Sequence, residues 1–116
     1  MSGITTHVLD TSRGEPAAGV SVTLELHSVG DAGEWLRIGT GVTGADGRAA
    51  DFVPPTAALA AGTYRLVFDS GAYFKAFAVA TFYPRIAVVF EVRDPAQHYH
   101  VPLLLSPFGY STYRGS

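Results

Sequence analysis

The chain reads as all-β: an antiparallel sandwich of about eight short strands with one short helix. Three features point there. Apolar residues recur at every second position in several short runs, as in Val20, Val22, Leu24 and Leu26 against Ser21, Thr23 and Glu25. Glycine, proline and Asp-Gly pairs fall between these runs at regular spacing. Only one stretch, Gly71 to Phe77, suits a helix.

In order, the first strand covers Thr5 to Leu9, and Gly14-Glu15-Pro16 follows as a loop. The alternating run Val20 to Leu26 is a strand with one buried and one wet face. Gly30-Asp31-Ala32-Gly33 is a second loop, and Trp35 to Thr43 the next strand. Gly44-Ala45-Asp46-Gly47 is a hairpin signal, because Asp-Gly supplies the positive φ of a tight turn. Arg48 to Phe52 is a further strand, and Pro54-Pro55 stops a strand there. Ala57 to Ala61 suits a turn of helix. Tyr64, Leu66 and Phe68 alternate with Thr63, Arg65 and Asp69. Ile86 to Val92 is rich in β-branched residues and reads as a more central strand. Tyr99 to Leu105 and a short Tyr110 to Tyr113 complete the set. Trp35, Phe68 and Phe90 are core candidates, Leu103-Leu104-Leu105 is core or interface, and His27 is a surface residue at a strand end.

The 116 residues, 47% hydrophobic and 16% charged, suit one globular domain over residues 1–116 that needs no crosslink to bury its core. A net charge of −2 offers no basic stripe for nucleic acid or an anionic membrane. The absence of cysteine removes disulfides, thiolate nucleophiles and zinc–thiolate sites together. The N-terminus lacks the pattern of a secretory signal, and no apolar run is long enough to span a membrane, so a cytoplasmic location is expected. Few charges guard the edges of the expected sheets. Pairing edge to edge in a symmetric oligomer would satisfy them.

The residues from His98 to Ser116 are unusual for a chain end, where polar filler is common. They hold His98, His100, an apolar run, four aromatics and Arg114. Such a segment is expected to be tied into the fold and to line a site.

Four segments, Thr6-His7-Val8-Leu9-Asp10, Pro16-Ala17-Ala18-Gly19-Val20, Ala45-Asp46-Gly47-Arg48 and the C-terminal block ending Tyr113-Arg114-Gly115-Ser116, stand in an order that resembles the transthyretin-like family. More narrowly, they resemble its 5-hydroxyisourate hydrolase branch, and the ending is the specific part of the likeness. The resemblance implies a prealbumin-like sandwich and a homotetramer, a dimer of dimers with sites in a channel between the dimers. It implies hydrolytic ring opening of 5-hydroxyisourate to 2-oxo-4-hydroxy-4-carboxy-5-ureidoimidazoline, with no cofactor. It maps the catalytic positions to His7, Arg48 and His100, and the substrate-binding ones to Tyr113, Arg114, Gly115 and Ser116, with His98 in support. One departure is visible: the family's turn often reads Thr-Asn-x-Asp-Gly-Arg, and here Gly44 stands in place of the Asn.

These residue types suit that chemistry. Opening a cyclic amide needs a group that takes a proton from water, a donor for the developing oxyanion, and contacts that hold the ring. Histidine suits the first near neutral pH. Arginine, always charged and planar, suits the second and third. Tyr113 and Ser116 bring a hydroxyl, or at Ser116 a terminal carboxylate, and Gly115 permits close backbone approach. His98 and His100, two apart on a strand, share a face. With His7 they make a metal site the competing reading of the same residues, although the family reading needs no metal. No Gly-x-Ser-x-Gly elbow is present, so Ser116 is not a serine nucleophile of that type.

Two other functions compete. A transthyretin-type carrier of a small hormone uses the same fold, but has a lysine, a glutamate and threonines where this chain has His7, Arg48, His100 and Tyr113. A structural sandwich module has no reason to gather histidines beside this tail.

Overall fold

The computed structural model describes residues 3–28, 33–53 and 59–116. Among them are nine strands and one helix: β1 Gly3–Asp10, β2 Glu15–Pro16, β3 Ser21–His27, β4 Trp35–Val42, β5 Arg48–Ala49, β6 Gly62–Phe68, α1 Ser70–Lys75, β7 Ile86–Val92, β8 His98–Ser106 and β9 Gly109–Thr112. Two sheets face each other. One runs β2-β1-β8-β9 with β5 also on β1, and the other runs β4-β3-β6-β7.

Period-two patterning sets which residues turn inward. Ile4, Thr6, Val8 and Asp10 of β1 are buried, as are Tyr99, Val101, Leu103 and Leu105 of β8. They meet Val22, Leu24, Tyr64, Leu66 and Phe68 of the other sheet in one core. The odd-numbered residues of β1 and the even-numbered ones at the start of β8 therefore lie on the outer face of the first sheet.

The expected sandwich of mostly antiparallel strands with one short helix is present, and within it β1 and β8 pair in parallel, with Thr5 opposite His100 and His7 opposite Pro102. Local alternation reports which face is buried and carries no strand direction. Other details differ from expectation. The Ile86–Val92 strand lies at a sheet edge instead of a central place. Its β-branched residues include Val89, 58% exposed, so they do not mark a strand covered on both faces. Gly14-Glu15-Pro16, read as a loop, contributes a two-residue strand in which Pro16 stands opposite Leu9. Proline fits there because the strand is at an edge, where its missing N–H costs nothing. The strand after the Asp-Gly turn stops at Ala49, and Phe52 turns into the core. Gly39 and Gly41 make room for it, since a Cβ on Gly39 would lie 1.8 Å from the Phe52 carbonyl oxygen. Trp35 is half-buried outside the core, with the Arg65 guanidinium over its ring at 4.2 Å. Phe68 is buried, Phe90 packs partly buried against the core, and His27 is half-buried edge-on to Trp35. Leu103 and Leu105 are core, and Leu104 is partly exposed.

Pro54-Pro55 and most of the Gly30 to Gly33 loop lie outside the described residues. So does the start of the expected helical turn from Ala57, and Leu59 to Ala61 are not helical. The true helix begins one residue early, at Ser70, where the Asp69 carboxylate accepts from Ala72 N as an N-cap. Tyr73 on this helix donates to the fully buried Asp10 carboxylate at 2.8 Å. Burial and that bond push the phenol up to about 12, so the tie between α1 and the end of β1 persists through neutral pH.

Candidate active site

The outer face of the β1–β8 pair carries the candidate residues. On β1, inward Ile4, Thr6 and Val8 leave Thr5 and His7 facing out. On β8, inward Tyr99 and Val101 leave His98 and His100 on the same outer face. The parallel register sets Thr5 beside His100. The antiparallel β5 sets Arg48 directly opposite His7, and residues so paired share a face.

Arg48 is aimed by its turn. Gly47 adopts φ 78°, a conformation that favours glycine. A Cβ there would lie 2.4 Å from the Val8 carbonyl oxygen and 3.3 Å from His7 Cδ2. Gly47 O accepts from Val8 N at 2.8 Å, Gly44 N donates to Arg48 O at 2.9 Å, and Arg48 N donates to the Asp46 carboxylate at 3.0 Å. The turn closes with Gly44 in place of the family's Asn, so that departure leaves Arg48 on the same face as His7.

The C-terminal residues close the other side. Strand β9 ends at Thr112, whose hydroxyl donates to Pro102 O at 2.6 Å. Gly115 N donates to His100 O at 2.8 Å, which seats the last turn of chain on the imidazole. Any side chain at 115 would collide with it, since a Cβ would lie 2.5 Å from His100 Cδ2.

The result is an open cleft of about 460 Å3 lined by Thr5, His7, Arg48, His98, His100, Tyr113, Gly115 and Ser116. Seven of the eight site residues expected from sequence meet here. Arg114 is not among the lining residues. Its guanidinium donates to Gln97 at 3.0 Å and lies 4.6 Å over the Tyr99 ring. Tyr99 is itself held by two hydrogen bonds to the Asp94 backbone.

Sequence reading missed Thr5. Its hydroxyl lies 2.9 Å from His98 Nε2 and 2.8 Å from His100 Nδ1. The signal was available: Thr5 and His7 are two apart on one strand and so share a face.

The lining side chains are imidazoles, hydroxyls and one guanidinium, with no Asp or Glu among them. Burial holds the His100 pKa below its ordinary 6.5, and the positive Arg48 and the neighbouring His98 and His7 push the same way, while a hydrogen bond to the Thr5 backbone opposes them. At neutral pH His100 is therefore a neutral imidazole, able to accept a proton. Among the described residues, no three His, Cys, Asp or Glu side chains form a group that would hold a metal ion. No described helix is long and apolar enough to cross a membrane. A neutral base beside a fixed cation suits attack of water on a carbonyl whose oxygen gathers negative charge.

The chain has clear relatives. The model of the HIUase/Transthyretin family matches residues 4–115. A probable 5-hydroxyisourate hydrolase of Caenorhabditis elegans is 50% identical over 115 residues, which is 99% of this chain and 82% of that protein. Among solved structures, Klebsiella pneumoniae 5-hydroxyisourate hydrolase is 37% identical with a TM-score of 0.83, over 99% of this chain and 100% of that one. Sea bream transthyretin in complex with thyroxine is 32% identical with a TM-score of 0.88, over 97% of this chain and 94% of that one.

Proposed function

The chain belongs to the HIUase/Transthyretin family, and on that footing we propose that it is a hydrolase that opens the ring of 5-hydroxyisourate to give 2-oxo-4-hydroxy-4-carboxy-5-ureidoimidazoline. The backbone alone does not choose between enzyme and carrier, since it matches a hydrolase and a thyroxine-binding transthyretin almost equally well. The side chains do. The single observation that carries the reading is the cleft in which His7, Arg48 and His100 meet. A channel for an apolar hormone would have no use for a guanidinium and three imidazoles, whose desolvation opposes binding.

In the proposed reaction, the neutral His100 ring takes a proton from water as the water oxygen attacks the amide carbonyl. Arg48, opposite His7 in the strand register, donates to the carbonyl oxygen as charge gathers there. A pre-aimed donor of this kind is worth roughly 2.7–4 kcal/mol in the transition state. His7 hydrogen-bonds the substrate or shares the proton transfer. Tyr113, Gly115 and Ser116 hold the ring against the wall, and Arg114 secures the tail through Gln97 and Tyr99. No cofactor or metal is required.

This reading also takes residues 1–116 as one catalytic domain, in a homotetramer whose sites lie between dimers, and in the cytoplasm. Exposed Phe82, Val89, Phe108, Tyr110 and Tyr113 support an assembly, since they leave apolar surface to cover. The direct test is to mix purified protein with freshly generated 5-hydroxyisourate. Loss of substrate well above spontaneous decay, unchanged by chelator, is expected. A rate equal to the spontaneous one would end the proposal, and loss of activity on chelation would restore the metal reading.

A further inference from the structure

The Thr5 hydroxyl touches two imidazoles at once, His98 Nε2 at 2.9 Å and His100 Nδ1 at 2.8 Å. A hydroxyl carries one proton. Between two neutral rings it donates to one nitrogen and accepts from the other, so the tautomers of His98 and His100 are coupled in opposite senses. With Nδ1 of His100 engaged by Thr5, Nε2 is the nitrogen left to act. In the base-competent arrangement, His100 Nδ1–H donates to Thr5 Oγ1, Thr5 O–H donates to His98 Nε2, and His100 Nε2 carries a lone pair.

Resting on the hydrolysis proposed above, we propose that Thr5 is a positioning residue that relays protons between the two histidines during the reaction. As a water O–H bond breaks and the water oxygen bonds to the carbonyl carbon, His100 Nε2 takes the proton. His100 Nδ1 passes its proton to Thr5 Oγ1, and Thr5 passes its own to His98 Nε2. Two protons shift and the positive charge comes to rest on His98. His100 is then neutral again and carries its proton on Nε2. It gives that proton to the ring nitrogen as the C–N bond breaks, while the two bridging protons run back and restore the starting tautomers.

Three observations favour this path. The register of β1 and β8 fixes Thr5 opposite His100, so the bridge is built into the sheet. His98 is exposed to water and His100 is half-buried, so a cation is better solvated on His98. The charged and titratable groups set against His100 are Arg48 from β5, His7 from β1 and His98 from its own strand, and together with burial they outweigh the Thr5 backbone hydrogen bond that favours charge on it. Moving the charge one ring outward avoids an imidazolium beside Arg48.

The test compares wild type, Thr5→Val and Thr5→Ser. Valine keeps the shape and removes the relay, and serine keeps the hydroxyl. For 5-hydroxyisourate, Thr5→Val is expected to lower kcat on the order of tenfold to a hundredfold, with KM nearly unchanged, and Thr5→Ser to recover most of the rate. Wild-type kcat in Thr5→Val overturns the relay. Ring 15N chemical shifts supply a readout that needs no turnover. The wild type should show His98 protonated on Nδ1 and His100 on Nδ1, and Thr5→Val should lose that pairing. Identical ring shifts in both proteins overturn the bridge, including where Thr5→Val is unstable and kinetics mislead. A wild type that fails to hydrolyse 5-hydroxyisourate but shows the coupled tautomers would sink the functional reading and leave the bridge standing.

Discussion

His100 gives up its proton more readily than a free imidazole does. Burial, then Arg48, His98 and His7, all oppose its protonation. In the folded chain His100 holds a proton less tightly than in the unfolded chain, so its neutral form survives below 6.5 and its contribution to stability is lost only as pH falls from that value through the lowered one. An NMR titration of the His100 ring is expected to give a midpoint below 6.5. Arg48→Gln should raise that midpoint, and the acid limb of kcat/KM in the wild type should also lie below 6.5. A midpoint at or above 6.5 would contradict this electrostatic picture. At this scale the sequence was generous. Residue chemistry and the family's motif picked out seven of the eight residues that line the cleft. Thr5 escaped because a threonine in a strand looks like ordinary β-branched filler, and its value comes from two histidines that lie 93 and 95 residues away.

Strands and turns convert those residues into a site. The β1 alternation fixes which face Thr5 and His7 occupy, the Gly47 turn delivers Arg48 opposite His7, and the tail seats Gly115 on His100. Gly115→Ala is expected to cut turnover sharply, because its Cβ would fall 2.5 Å from His100 Cδ2 and displace either the tail or the ring. Thermal stability should change little, since Tyr113, Arg114 and Ser116 are exposed and Gly115 is only half-buried. The paired measurement is kcat with melting temperature, and wild-type kcat would show that the tail's approach is not needed. Element identity was legible where alternation was strong, as in β3 and β6, and where β-branched residues cluster, as in β7. Pairing was not. Nothing local tells β1 to run parallel to β8, because that choice depends on loop closures spread over the whole chain. The edge position of β7 was hidden for a similar reason: Ile86 to Val92 is apolar enough to be covered, and the strand sequence does not name what covers it.

For the whole molecule, the two sheets leave β7 and β9 as edges with little charge, and large apolar side chains stand exposed near them. Native mass spectrometry is expected to give four chains per particle, since edge pairing and apolar burial both favour closed symmetry. A stable monomer at working concentration would contradict the proposed assembly. The sequence implied such an assembly through its unguarded edges and its family resemblance, and it could not show which surface each partner covers. The proposed hydrolytic centre gathers groups from three separate parts of the chain in one cleft. The most direct test is kcat/KM of Arg48→Ala for 5-hydroxyisourate, on protein whose fold and mass match the wild type. A fall of about a hundredfold to a thousandfold is the expected result, and wild-type kcat/KM would contradict it.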